Sequence, residues 1–130
     1  MIRTLRLTLT LFVTIALAPA VAAAQGSVTV DPSLAKTGKS LFTSRGCNAC
    51  HAFGKKLAGP DLVGATERRD LAWLRRWLKS TDEMLESDSI AQALLVEFQN
   101  VKMPNLKLSD QEVEALIHYM QQESQKKKKK

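Results

Sequence analysis

The sequence predicts an all-α domain of about four helices. Three observations carry this reading. Four stretches repeat apolar residues at helical spacing, capping residues stand where helices should begin, and no segment alternates apolar with polar residues as a half-buried strand does. The intervening segments are long and irregular, so the helices need a further body to pack against.

The first 24 of the 130 residues differ in composition from the rest. Arg3 and Arg6 precede an apolar run from Leu7 to Leu17, and Ala22, Ala23 and Ala24 follow. That is the layout of a secretory signal peptide cleaved before Gln25, which implies export to the periplasm. The alternative is an uncleaved membrane anchor, because with its alanines the stretch approaches the ~20 residues that span a bilayer. Neither cysteine follows closely enough to accept a lipid.

A polar leader occupies residues 25 to 31. Asp31 then reads as an N-cap with Pro32 at the first helical position, opening a helix to about Arg45 in which Leu34, Gly38, Leu41 and Phe42 share a side; Gly46 is the stop. Ala52 to Ala65 carries Gly54, Gly59, Pro60 and Gly64 and reads as a loop. A second helix is expected from about Asp70 to Lys79, with Leu71, Leu74 and Leu78 on one side and Trp73 four residues from Trp77. A third begins near Asp88, with Ile90, Leu94, Leu95 and Phe98 on one face, and ends before Pro104. The last opens on a capping box, Ser109 with Glu112, and continues through Val113, Leu116, Ile117 and Met120. The domain is thus expected over residues 32 to 122, followed at 123 to 130 by a flexible lysine-rich tail.

Removing 24 residues from 130 leaves 106, one domain with a modest core. The mature chain carries 17 basic against 13 acidic residues, and five of the basic ones are Lys126 to Lys130. Without that run the body is close to neutral, so the basic balance belongs to the ends and gives no reason to expect nucleic acid.

Both cysteines of the chain fall in Cys47-Asn48-Ala49-Cys50-His51, the C-x-x-C-H pattern for covalent attachment of haem c. Two thiols three positions apart on a tight turn can each add to one vinyl group of the porphyrin, with His51 adjacent as an axial ligand of the iron. A thioredoxin-type redox pair would bring a βαβ pattern, and a zinc site would need four ligands where only His118 remains beyond the motif.

The sixth iron position then has to be filled or left open. Met120 fits an apolar helical stripe and Met84 lies in an acidic, exposed stretch, whereas Met103 sits in the loop Asn100 to Asn105, where no helical face explains it and Pro104 stiffens the backbone. Met103 is the candidate ligand; a thioether filling a gap under the loop is the plainer alternative. His118 as sixth ligand would turn a polar face of the last helix inward.

Taken in order, the helix with Gly38 and Phe42, the haem-attachment motif, Gly59-Pro60-Asp61-Leu62, the Met103-Pro104 pair and the final helix with Leu116 and Tyr119 resemble a bacterial class I cytochrome c from about Pro32 to Gln122. The resemblance implies that the first and last helices cross at Gly38, against Tyr119 and Leu116. It also implies that the Pro60 carbonyl accepts the Nδ1 proton of His51, although the separation of those two residues is short for the family. The stretch from Glu67 to the methionine loop is similar to cytochromes found beside copper-dependent respiratory or nitrogen-oxide-reducing systems. In relatives one tryptophan bonds a haem propionate; Trp77 is the candidate, with Trp73 second and Arg68, Arg69, Arg75 or Arg76 nearby. A hydrophobic pair on a solvated helix explains the same residues.

The functional expectation is a soluble periplasmic carrier of single electrons with one covalent haem c, no catalytic residue, and a respiratory oxidase or reductase as partner. Lys55, Lys56, Lys102 and Lys107 could face an acidic docking surface on such a copper or haem enzyme, or serve only solubility. Membrane association would need an uncleaved N-terminus or the lysine tail. A haem subunit fixed to a larger enzyme, and an enzyme or gas sensor in which Met103 is displaced, are the rival readings.

Overall fold

The computed structural model describes residues 28–129; the expected signal peptide and residues 25–27 of the leader lie outside them. Among the described residues there are six α-helices, one 3₁₀ turn and no strand. No helix among them is long and apolar enough to cross a membrane.

Aspartate caps explain where three helices begin. Helix α1 spans Pro32–Ser44, and Asp31 Oδ1 accepts from the amides of Ser33 at 2.8 Å and Leu34 at 3.0 Å. Asp70 does the same for α3, Leu71–Lys79, and Asp88 for α5, Ser89–Glu97. The final helix α6, Asp110–Lys128, opens on the expected capping box between Ser109 and Glu112.

Helices α1 and α6 cross at Gly38. A Cβ there would stand 2.6 Å from the Ala115 carbonyl carbon and 2.8 Å from Tyr119 Cβ, so only glycine admits this approach. The contact falls on Ala115 and Tyr119 rather than on Leu116, which packs into the core beside it. That core joins Phe42, Leu74, Leu108, Val113, Leu116 and Ile117 with their neighbours, and Phe53 completes an aromatic trio with Phe42 and Tyr119 at centroid separations of 5.4 to 5.6 Å.

Three features depart from the sequence expectation. Two short helices were not anticipated: α2, Ala65–Arg68, and α4, Thr81–Ser87. Met84, expected on an exposed acidic stretch, is 1% exposed and is one of the largest fully buried side chains, because α4 folds back on α5 and turns its single methionine inward while Asp82, Glu83 and Glu86 stay outside. Helix α5 does end before Pro104, as expected, stopping at Glu97: Gln99 and Asn100 are left-handed, with φ of 55° and 62°, and the Asn100 amide closes the end on the Leu95 carbonyl at 2.8 Å.

The third departure is the tail. Rather than loosening at residue 123, α6 runs through Lys128. Ser124 is fully buried and its hydroxyl receives the Gly64 amide at 2.8 Å while donating to the Met120 carbonyl at 2.8 Å; Thr66 bonds Gln121 next to it. Helix α2 is thereby clamped on α6, and the lysines that follow complement the negative end of the helix dipole.

Candidate functional site

The segment Cys47–Ala49 forms a 3₁₀ turn entered through Gly46, whose φ of 74° reverses the chain out of α1. The amide of His51 bonds the Cys47 carbonyl at 2.9 Å, which winds the motif tightly enough to bring both cysteines and the histidine to one crevice. Neither cysteine is in a disulfide, and burial pushes the Cys47 thiol above its ordinary pKa.

The His51 ring is held by the loop that follows. The Gly59 amide donates to the Cys50 carbonyl at 2.8 Å, and a Cβ on Gly59 would stand 2.5 Å from His51 Cε1 and 2.8 Å from Nδ1. Glycine is therefore needed for the ring to lie flat against the loop backbone. Nδ1 is 3.1 Å from the Pro60 carbonyl, which can only accept, so Nδ1 carries the proton and Nε2 keeps its lone pair. Burial lowers the His51 pKa against a smaller opposing effect of that bond, keeping the ring neutral as a metal ligand must be. Asp61 secures the loop, accepting the amides of Gly54 at 2.8 Å and Val63 at 2.9 Å.

The crevice has two compartments, of about 340 Å³ and about 120 Å³, and Cys47, His51, Trp77, Phe98 and Met103 line both. Leu74, Leu94, Leu116 and Met120 supply apolar wall to the larger one. A slot between apolar walls, lined by two thiols, a neutral imidazole and a thioether, fits a flat, mostly apolar macrocycle carrying a metal.

Each sequence candidate can now be placed. Cys47, Cys50, His51, Pro60, Trp77 and Met103 all line the crevice. His118 does not; its Nδ1 accepts the Asp31 amide at 2.9 Å, at the start of α1. Trp73 and Trp77 stack at 5.5 Å and 12°, but Trp73 has committed its indole N–H to Asp88 at 3.0 Å, whereas Trp77 Nε1 has no acceptor among the described residues. Of the four arginines considered, Arg68 and Arg69 reach the crevice while Arg75 and Arg76 turn to Glu114 and Asp88. Lys56 also lines it, paired with Glu97 at 2.6 Å and lying 5.3 Å from the Phe98 ring centre; Lys102 lines the smaller compartment, and neither Lys55 nor Lys107 lines the crevice. Sequence reasoning passed over Gly59 as a functional position, although its place directly before Pro60 was the available signal.

Residues 35–124 match the cytochrome c family. The chain belongs to that family. It is a class I c-type cytochrome, and the group that fills such a crevice is one covalently bound haem c with its iron. Over 37 residues it is 43% identical to cytochrome c-551 of Stutzerimonas stutzeri, an alignment spanning 28% of this cytochrome and 36% of the relative. The fold is similar to that of a cytochrome c from Rhodothermus marinus, with a TM-score of 0.71 and 26% identity over 78% of this chain and 88% of that one. An engineered Rhodothermus marinus cytochrome c bound to a carbene intermediate matches at a TM-score of 0.67 over the same shares and at the same identity. Members of that family are haem proteins that carry electrons.

Proposed function

We propose that this cytochrome is a periplasmic single-electron carrier of fairly high potential, exchanging electrons with a respiratory oxidase or reductase. In this reading Cys47 and Cys50 hold the haem by thioethers, and His51 and Met103 ligate its iron. The observation that carries it is that His51 and Met103 line both compartments of a single crevice, so the two side chains would hold the iron between them and leave no place on it for a substrate.

When bound, the haem would supply an iron that gains or loses one electron, and methionine together with histidine as its protein ligands would raise its potential. The protein's own residues do the rest. Pro60 and Gly59 hold the His51 ring neutral and in one orientation, and the Leu74, Leu94 and Leu116 walls keep water away. Trp77 offers a free indole N–H to a propionate, with Arg68 and Arg69 supplying positive charge. Periplasmic residence is supported by the signal-like layout of residues 1 to 24.

Thioether attachment has a direct test. Denatured, reduced and alkylated protein should weigh one haem more than the chain from Gln25 onward, because denaturation does not break a carbon–sulfur bond. Haem that extracts into acidified organic solvent would rule the attachment out.

A further inference from the structure

We propose that the lysine-rich end of α6 is a docking face for an anionic phospholipid leaflet. Lys126, Lys127, Lys128 and Lys129 are all exposed, and the sequence adds Lys130. They are carried on a helix whose position is fixed up to Ser124, which is buried and bonded to Gly64. The Lys127 side chain lies against Gly54, and Lys128 pairs with Glu67 on α2. The basic end therefore adjoins the loop of Lys55 and Lys56 and the helix bearing Arg68, both of which wall the larger compartment.

The arrangement favours a lipid surface over a protein. Successive residues of a helix point about 100° apart, so four consecutive lysines spread around the axis instead of forming one face. A protein with fixed carboxylates would meet one or two of them. A leaflet of mobile anionic headgroups, reached by long flexible side chains, can meet nearly all. The nearby carboxylates do not cancel the patch: Glu123 and Glu67 form exposed pairs with Lys126 and Lys128, which are weak and readily exchanged, while Lys55 and Lys129 have no ion-pair partner among the described residues. Clusters of this size are what anionic membranes retain.

Holoprotein should cosediment with phosphatidylglycerol-rich vesicles, not with phosphatidylcholine vesicles, and salt should release it. Each lysine near the surface contributes about fivefold, so K126Q/K127Q/K128Q/K129Q/K130Q should weaken binding by about 100-fold or more. An unchanged visible spectrum and helix content would show that the variant still folds; glutamine forms helix as well as lysine does. The double change K36Q/K39Q on α1 should have little effect. The proposal is overturned if vesicles fail to bind the holoprotein, if the tail variant binds as well as the parent, or if the α1 variant weakens binding as much per charge. Retention on poly-glutamate without vesicle binding would also overturn it and assign the lysines to an acidic protein.

Discussion

Met103→Ala should lower the reduction potential by on the order of 0.1 V or more, a fraction of the ~0.8 V over which axial ligands command haem potentials. The expectation rests on Met103 lining both compartments, as His51 does, with no other methionine among the described residues lining the smaller one. The same change should let the reduced protein bind carbon monoxide. The other methionines are the controls. Met84, buried between α4 and α5 away from the crevice, should cost about 2 to 5 kcal/mol as Met84→Ala and leave the visible spectrum alone. Met120→Ala should cost a similar amount, since Met120 belongs to the core even though it also forms wall of the larger compartment. A spectrum that responds to His118→Ala and ignores Met103→Ala would contradict the ligand assignment.

Cys47→Ala combined with Cys50→Ala should leave a chain that does not melt cooperatively. Without attached haem the larger compartment is a void of about 340 Å³ lined by core residues such as Phe42, Leu74 and Leu116. Apolar walls left without the group they pack against lose burial that a domain of only about 5–15 kcal/mol total stability cannot spare. The walls would collapse or take up water, and the α1–α6 crossing at Gly38 would lose the body it packs around. Circular dichroism with a thermal ramp reads this directly. A sharp transition with near-native helix content in the doubly substituted chain would count against haem as an organiser of the fold.

Helices α1, α3, α5 and α6 were legible in the sequence because local signals and tertiary need agree there. Asp31 and Ser109 cap α1 and α6 as expected, and Asp70 and Asp88, near which the second and third helices were expected to begin, cap α3 and α5. Helix α4 was not legible, because in Thr81–Ser87 the acidic residues dominate the pattern and the burial of Met84 depends on contact with α5. The C-terminal lysines misled for a related reason: composition reads as a loose end, while the buried Ser124 and the Lys128 to Glu67 pair that continue the helix are contacts with α2, far away in sequence.

At the site, residues whose chemistry is in their type and spacing stood out at once, as with Cys47, Cys50 and His51. Met103 could be singled out because its loop gave it no packing role. Gly59 was visible only as the residue before Pro60; its own role, the missing Cβ beside the His51 ring, shows only in the folded loop. The division between Trp73 and Trp77 likewise depended on Asp88, fifteen residues along, capturing one indole and leaving the other available.

The central claim, that His51 and Met103 close both faces of the iron and restrict it to electron transfer, is tested most directly by adding carbon monoxide to the reduced native protein and recording its visible spectrum. The spectrum should not change at any concentration that saturates Met103→Ala. Ready binding of carbon monoxide by the native protein would show an open or easily displaced sixth position and contradict the carrier assignment.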